Sequence, residues 1–104
     1  MNVAASNTSA ESTTQVAALP LRTGSDGTLQ VLLVTSRETR RWVIPKGWPM
    51  KGLKPYEAAA QEALEEAGLK GHVEEKPVGT YTYFKRCEAH FAICDVDVYR
   101  REVR

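Results

Sequence analysis

Pro55 and Gly68 bracket the one stretch of this chain whose pattern is plainly helical, Pro55-Tyr56-Glu57-Ala58-Ala59-Ala60-Gln61-Glu62-Ala63-Leu64-Glu65-Glu66-Ala67. Proline suits the first helical turn, where the N–H it lacks has no intrahelical partner. A glycine directly after Ala67 is the natural left-handed cap. The sequence predicts a helix over 55–67, and what flanks it reads as strand, turn or loop.

Gln15 to Arg22 reads as a strand centred on Val16-Ala17-Ala18-Leu19-Pro20-Leu21. Pro20 cannot donate to a ladder, so this strand is expected at an edge, or paired on one side there. Gly24-Ser25-Asp26-Gly27 is a turn. Thr28 to Ser36 then completes a hairpin, with Val31-Leu32-Leu33-Val34 expected to be buried. Arg37-Glu38-Thr39-Arg40-Arg41 is a charged connection, and Trp42-Val43-Ile44 a short strand stopped by Pro45. Residues 46–54, with Gly47, Pro49 and Gly52, read as an irregular loop.

Beyond the helix, His72 to Glu75 is a short strand that Pro77-Val78-Gly79 is expected to break. Thr80 to Phe84 is rich in β-branched and aromatic residues and reads as a strand. Lys85-Arg86 falls in a turn, and Ala89 to Tyr99 forms the last strand. The result is an α+β fold, a mixed sheet carrying one helix. Residues 1–14, rich in Ser, Thr, Asn and Ala, read as a disordered tail, and 15–104 as a single domain.

The net charge is only +1, which gives no pull toward a nucleic acid polymer. No apolar stretch approaches the roughly 20 residues that span a bilayer, and the opening residues have no signal-peptide pattern. Cys87 and Cys94 lack a CxxC spacing and read as reduced thiols of a cytoplasmic protein. His72 and His90 have no metal-ligand spacing and read as structural or surface residues.

The chemistry lies on the helix. At 100° per residue from Ala58, Glu65 falls near −20°, Glu62 near 40° and Glu66 near 80°. Tyr56, Ala60, Ala63, Leu64 and Ala67 fall between about 140° and 240°, so an alanine face is expected opposite the carboxylates, close against a sheet. Three such carboxylates repel one another unless water or cations offset them. Their hard oxygens suit Mg²⁺ or Mn²⁺, which share their shell with phosphate oxygens. One carboxylate can also take a proton from an attacking water. The triplet alone fits a solvated face as well as a metal face.

The context decides between them. Gly47 upstream, then Glu62, Glu65, Glu66, Gly68 and Leu69, stand at the spacing of the Nudix hydrolase signature, which this chain resembles over residues 15–100. The resemblance implies an α/β/α sandwich with a loop-helix-loop motif. It implies a metal site made by Glu62, Glu65, Glu66 and the backbone carbonyl of Gly47, with the same glutamates as catalytic groups. Leu53 stands where the family has a glutamate, Gln61 where it has an arginine, and Ala63 where a larger aliphatic residue is usual. With both members of that ion pair absent, Leu53 is expected to replace it by apolar packing.

The run Arg41-Trp42-Val43-Ile44-Pro45-Lys46-Gly47 is similar to the diphosphoinositol polyphosphate and diadenosine polyphosphate hydrolase branch. That likeness makes Ser36, Arg37, Arg40, Arg41, Lys46 and Lys85 candidates to contact substrate phosphates, where cations beyond the metals are needed. Trp42 is expected in a core and Trp48 at least partly exposed. Tyr81 and Tyr83 read as cross-strand packing. By the same resemblance, the family's usual C-terminal strand and helix are expected to be missing from this sequence, whether it is a truncated, incomplete or short chain, and a sheet face so left open is expected to invite self-association. The implied activity is a Mg²⁺- or Mn²⁺-dependent pyrophosphohydrolase acting on a small phosphorylated substrate. The other reading is a Nudix-fold module that binds a nucleotide or partner without cleaving it.

Overall fold

A computed structural model describes residues 11–36, 40–86 and 91–103. Arg37, Cys87, Ala89 and His90 lie outside the described residues. The elements in chain order are β1 (Glu11–Thr23), β2 (Leu29–Val31), β3 (Val34–Thr35), β4 (Trp42–Val43), β5 (Lys46–Gly47), α1 (Pro55–Ala67), β6 (Val73–Arg86) and β7 (Phe91–Glu102). The main sheet runs β2-β1-β7-β6, with β5 paired to the same edge of β1 as β2. β1 and β7 are parallel and the other pairs antiparallel, so the sheet is mixed.

The helix spans the residues expected, with Pro55 in its first turn. Glu57 Oε1 accepts the Lys54 N–H at 2.7 Å, which satisfies a donor at the start of the helix. Gly68 ends it in the left-handed region at φ 68°, and its N–H bonds back to Leu64 O.

Several strand expectations change. β1 begins at Glu11, so residues 11–14 are part of the sheet and not of a tail. They run parallel to Ala92–Asp95 of β7, and the Thr13 hydroxyl lies 3.2 Å from Cys94 Sγ. β1 is an interior strand and not an edge. Pro20 is tolerated because it pairs with Arg101 of β7 on one side. On its other side it falls between the β5 pairing at Val16–Ala17 and the β2 pairing at Leu21–Thr23.

The run 28–36 is split into β2 and β3, and Leu29, Val31, Leu32 and Leu33 are exposed. β2 is an edge strand, and α1 packs on β1, β5, β6 and β7 instead. Lys46 and Gly47 form β5 where a loop was expected. Pro77-Val78-Gly79 does not break β6; it absorbs two register shifts against β7. Lys85 and Arg86 stay in that ladder, opposite Ala92 and Phe91. β7 runs on to Glu102.

Two apolar layers follow from the alternation of β1. Val16 and Ala18 pack with Ala58, Ala59, Ala63, Val73 and Tyr99 on the helix side. Ala17 packs with Val96 and Val98 on the far side, flanked by Leu19, Ile44 and Tyr83. Among the described residues α1 is the only helix, so one helical layer of the expected sandwich is present there.

Candidate active site

β5 sets Gly47 opposite Val16 and Lys46 opposite Ala17. Directly opposed residues of an antiparallel pair share a face. Gly47 therefore faces the helix layer, while the Lys46 side chain turns to the far layer. The short β5 strand thus touches both sides of the sheet at its rim.

Glu62 fills the space over Gly47. A Cβ on that glycine would overlap the Glu62 carboxylate. One turn further along, Glu66 Oε1 accepts the Lys46 backbone N–H at 3.1 Å. Glu65 Oε2 accepts from Gln61 Nε2 at 2.8 Å.

The carboxylates and the alanines are not on opposite faces as expected. The buried helix residues are Ala58, Ala59 and Ala63, at about 0°, 100° and 140°, and Glu62 and Glu66 fall between them at about 40° and 80°. The small residues let the helix backbone approach the sheet closely enough for Glu62 and Glu66 to meet β5. Burial, and then the charges of Glu66 and Glu65, push the Glu62 carboxyl from 4.5 up to about 7, against the opposing pull of Lys46.

This donor set is all hard oxygen, the chemistry of a divalent cation site. Burial is the first cause of the raised Glu62 carboxyl, and the repulsion by Glu66 and Glu65 that adds to it is charge a cation would offset. Among the described residues, no three acidic, histidine or cysteine side chains converge tightly enough to hold a metal ion as they stand. Glu65 is engaged by Gln61, and Glu66 by the Lys46 backbone N–H.

A family model for the NUDIX domain matches residues 13–101. The chain belongs to the NUDIX family.

Over 66 residues it is 38% identical to the mitochondrial Nudix hydrolase 13 of Arabidopsis thaliana; the match covers 64% of this chain but only 33% of that protein. The Nudix fold is shared with the C. elegans Ap4A hydrolase at a TM-score of 0.63 and 19% identity, over 88% of this chain and 73% of that one. It is also shared with the NUDIX domain of Shewanella oneidensis NrtR complexed with ADP ribose, at a TM-score of 0.63 and 17% identity, over 98% and 66% of the two chains.

The Nudix helix and β5 gather Lys46, Gly47, Glu62, Glu65 and Glu66 at one rim. Lys85 approaches from β6, its ammonium 5.2 Å from the centre of the Trp48 ring. Ser36, Arg40 and Arg41 lie instead on the β3–β4 hairpin, a separate two-stranded sheet. The Ser36 N–H donates to Arg41 O at 2.9 Å, and Arg40 turns the chain at φ 57°.

Leu53 is 41% exposed, in a turn closed by its N–H to Met50 O. Gln61 has taken Glu65 as its partner instead. Trp42 is 69% exposed and not in a core, because β3 and β4 pair over only two residues and give it no cover. Trp48 is exposed as expected.

Tyr83 is the site residue that sequence reasoning passed over. It was expected only in cross-strand packing, on the face it shares with Tyr81, whose ring centre lies 6.3 Å away. Its hydroxyl also accepts from Lys46 Nζ at 3.2 Å and donates to Gln15 Oε1 at 2.6 Å. The one available signal was the alternation that puts Tyr83 and Lys85 on one face of a strand.

Proposed function

We propose that this domain is a divalent-cation-dependent pyrophosphohydrolase, using Mg²⁺ or Mn²⁺, that cleaves a diphosphate bond in a dinucleoside polyphosphate or diphosphoinositol polyphosphate. The observation that carries the reading is the seating of Glu62 on Gly47 beside Glu66 and Glu65, in a chain of the NUDIX family. The likeness to an Ap4A hydrolase supports the substrate class.

Bound cations would supply Lewis-acid activation of water and offset charge on the leaving phosphate. Glu62, Glu65 and Glu66 would hold those cations, with the carbonyl of Gly47 completing the donor set. One of the three carboxylates accepts the proton of the attacking water. Lys46 and Lys85 bind phosphate oxygens beyond the bond cleaved. Ser36, Arg40 and Arg41 act from the β3–β4 hairpin on more distant phosphates.

A screen of dinucleoside polyphosphates, diphosphoinositol polyphosphates and nucleoside triphosphates with Mg²⁺ and Mn²⁺ tests this reading. Phosphate release that disappears in Glu62→Gln or Glu66→Gln supports it. One observation favours a second reading, a nucleotide-binding module without turnover: Glu65 is tied to Gln61 and not turned toward Glu62. Site-specific metal and nucleotide binding with no release from any substrate would select that module.

A further inference from the structure

Lys46 is divided between the two sides of the sheet. Its N–H meets Glu66 on the helix side, while its ammonium lies on the far side, 4.9 Å from the centre of the Tyr83 ring and 3.2 Å from the Tyr83 hydroxyl. A lysine at a sheet rim ordinarily has a mobile, hydrated ammonium. Here the ammonium has both a hydroxyl acceptor and an aromatic face.

The Tyr83 hydroxyl is itself fixed. Gln15 is only 3% exposed, and its Oε1 takes the single phenolic proton at 2.6 Å. The phenol's lone pairs are thereby left for Lys46. Burial, and then Cys94 beside it, push the Tyr83 phenol up, so it stays neutral and keeps donating to Gln15. Two residues along the same face of β6 stands Lys85, held over the ring of Trp48, the residue that follows Gly47. Two ammonium groups thus flank one anchored phenol on the face of the sheet opposite α1, at the rim where β5 carries Lys46 and Gly47.

We propose that Tyr83, anchored by Gln15, is a positioning residue that fixes Lys46 so that Lys46 and Lys85 together grip a chain of three or more phosphates leading away from the carboxylate face. This deepens the hydrolase reading and rests on it for the location of the substrate. The selectivity follows from the arrangement: a pyrophosphate held through divalent cations at the glutamates does not reach both lysines, whereas a longer chain does. Tyr83 makes no bond to the reacting atoms and acts only through Lys46.

The test is a binding measurement that needs no turnover. Inorganic tripolyphosphate and pyrophosphate are titrated into Mg²⁺-loaded protein by calorimetry, using wild type, Tyr83→Phe, Lys46→Met, the double variant and Gln15→Met. Tyr83→Phe is expected to weaken tripolyphosphate by about tenfold or more, the scale of one hydrogen bond to a charged group, and to leave pyrophosphate nearly unchanged. In the Lys46→Met background it should add nothing, and Gln15→Met should match Tyr83→Phe. On any substrate the protein hydrolyses, Tyr83→Phe should raise KM and spare kcat. Equal losses in both backgrounds, no difference between the two anions, or no tripolyphosphate binding by folded wild type would overturn the proposal. The pattern obtained without hydrolysis of any substrate would sustain the lysine grip and remove the hydrolase reading.

Discussion

The Glu62 carboxylate occupies the space over Gly47 that a side chain at that position would need. Glycine here is required for room and not for backbone conformation, since Gly47 is not among the residues with positive φ. Gly47→Ala should therefore fold and unfold near the wild-type temperature, because Glu62 can swing aside. The displaced carboxylate would no longer meet its neighbours, and misplacement of about 1 Å can cost on the order of 100-fold in rate. Thermal unfolding alongside Mn²⁺ titration and phosphate release separates the two effects. Full activity in Gly47→Ala would mean that Glu62 is not needed where it stands.

The Glu62 carboxyl sets a pH dependence whose sign is opposite to that of a salt-bridged carboxylate. Its folded value of about 7 lies above its ordinary 4.5 because of burial, Glu66 and Glu65. Between those values the folded state holds more protons than the unfolded state, so stability falls as pH rises. The contribution is complete below about 4.5 and lost as pH passes through about 7. In metal-free protein the melting temperature should decline across this window. Glu62→Gln should flatten the decline, and saturating Mg²⁺ should oppose it by binding the folded state. A melting temperature that rises across the same window in the wild type would contradict this assignment.

The helix and its chemistry were legible because their signals are local. Pro55, Gly68 and the spacing of Glu62, Glu65 and Glu66 are fixed within a few turns, and the structure keeps all of them. What the sequence hid was long-range. The rotation of the helix about its axis, which places Glu62 and Glu66 between buried alanines, depends on packing against β1 and β5. The exposure of Leu32, Leu33 and Trp42 depends on which strands α1 covers, and an apolar run read by itself cannot tell a covered strand from an open one. Tyr83 was hidden for the same reason: its partners Gln15 and Lys46 lie on other strands.

Away from the site, Gly71 holds the chain between α1 and β6 at φ +121°, where a Cβ would come within 3.0 Å of Arg101 Nη1. Arg101 is a buried guanidinium whose Nη1 donates to the carbonyls of His72 and Glu102. Gly71→Ala combines backbone strain with pressure on this brace and should cost about 1–3 kcal/mol. Chemical denaturation should show a lower midpoint. Substrate KM and metal affinity should stay at wild-type values, because Gly71 lies in the loop beyond the Gly68 cap and touches none of the carboxylates.

Gln61 and Glu65 test whether the helix already holds its metal geometry or must rearrange to bind. The two side chains are one turn apart and joined by a 2.8 Å hydrogen bond, an exposed interaction of about 0.2–0.5 kcal/mol. If Glu65 is a ligand, cation binding has to break that bond, and its removal should help by the same amount. Gln61→Ala should then tighten Mn²⁺ roughly twofold, the Boltzmann equivalent of that energy, with little loss of helix stability since alanine is the better helix former. The gain should vanish in Gln61→Ala/Glu65→Gln, where no carboxylate remains to be released. An equal gain in that double variant would assign the effect to the helix itself and remove Glu65 from the metal shell.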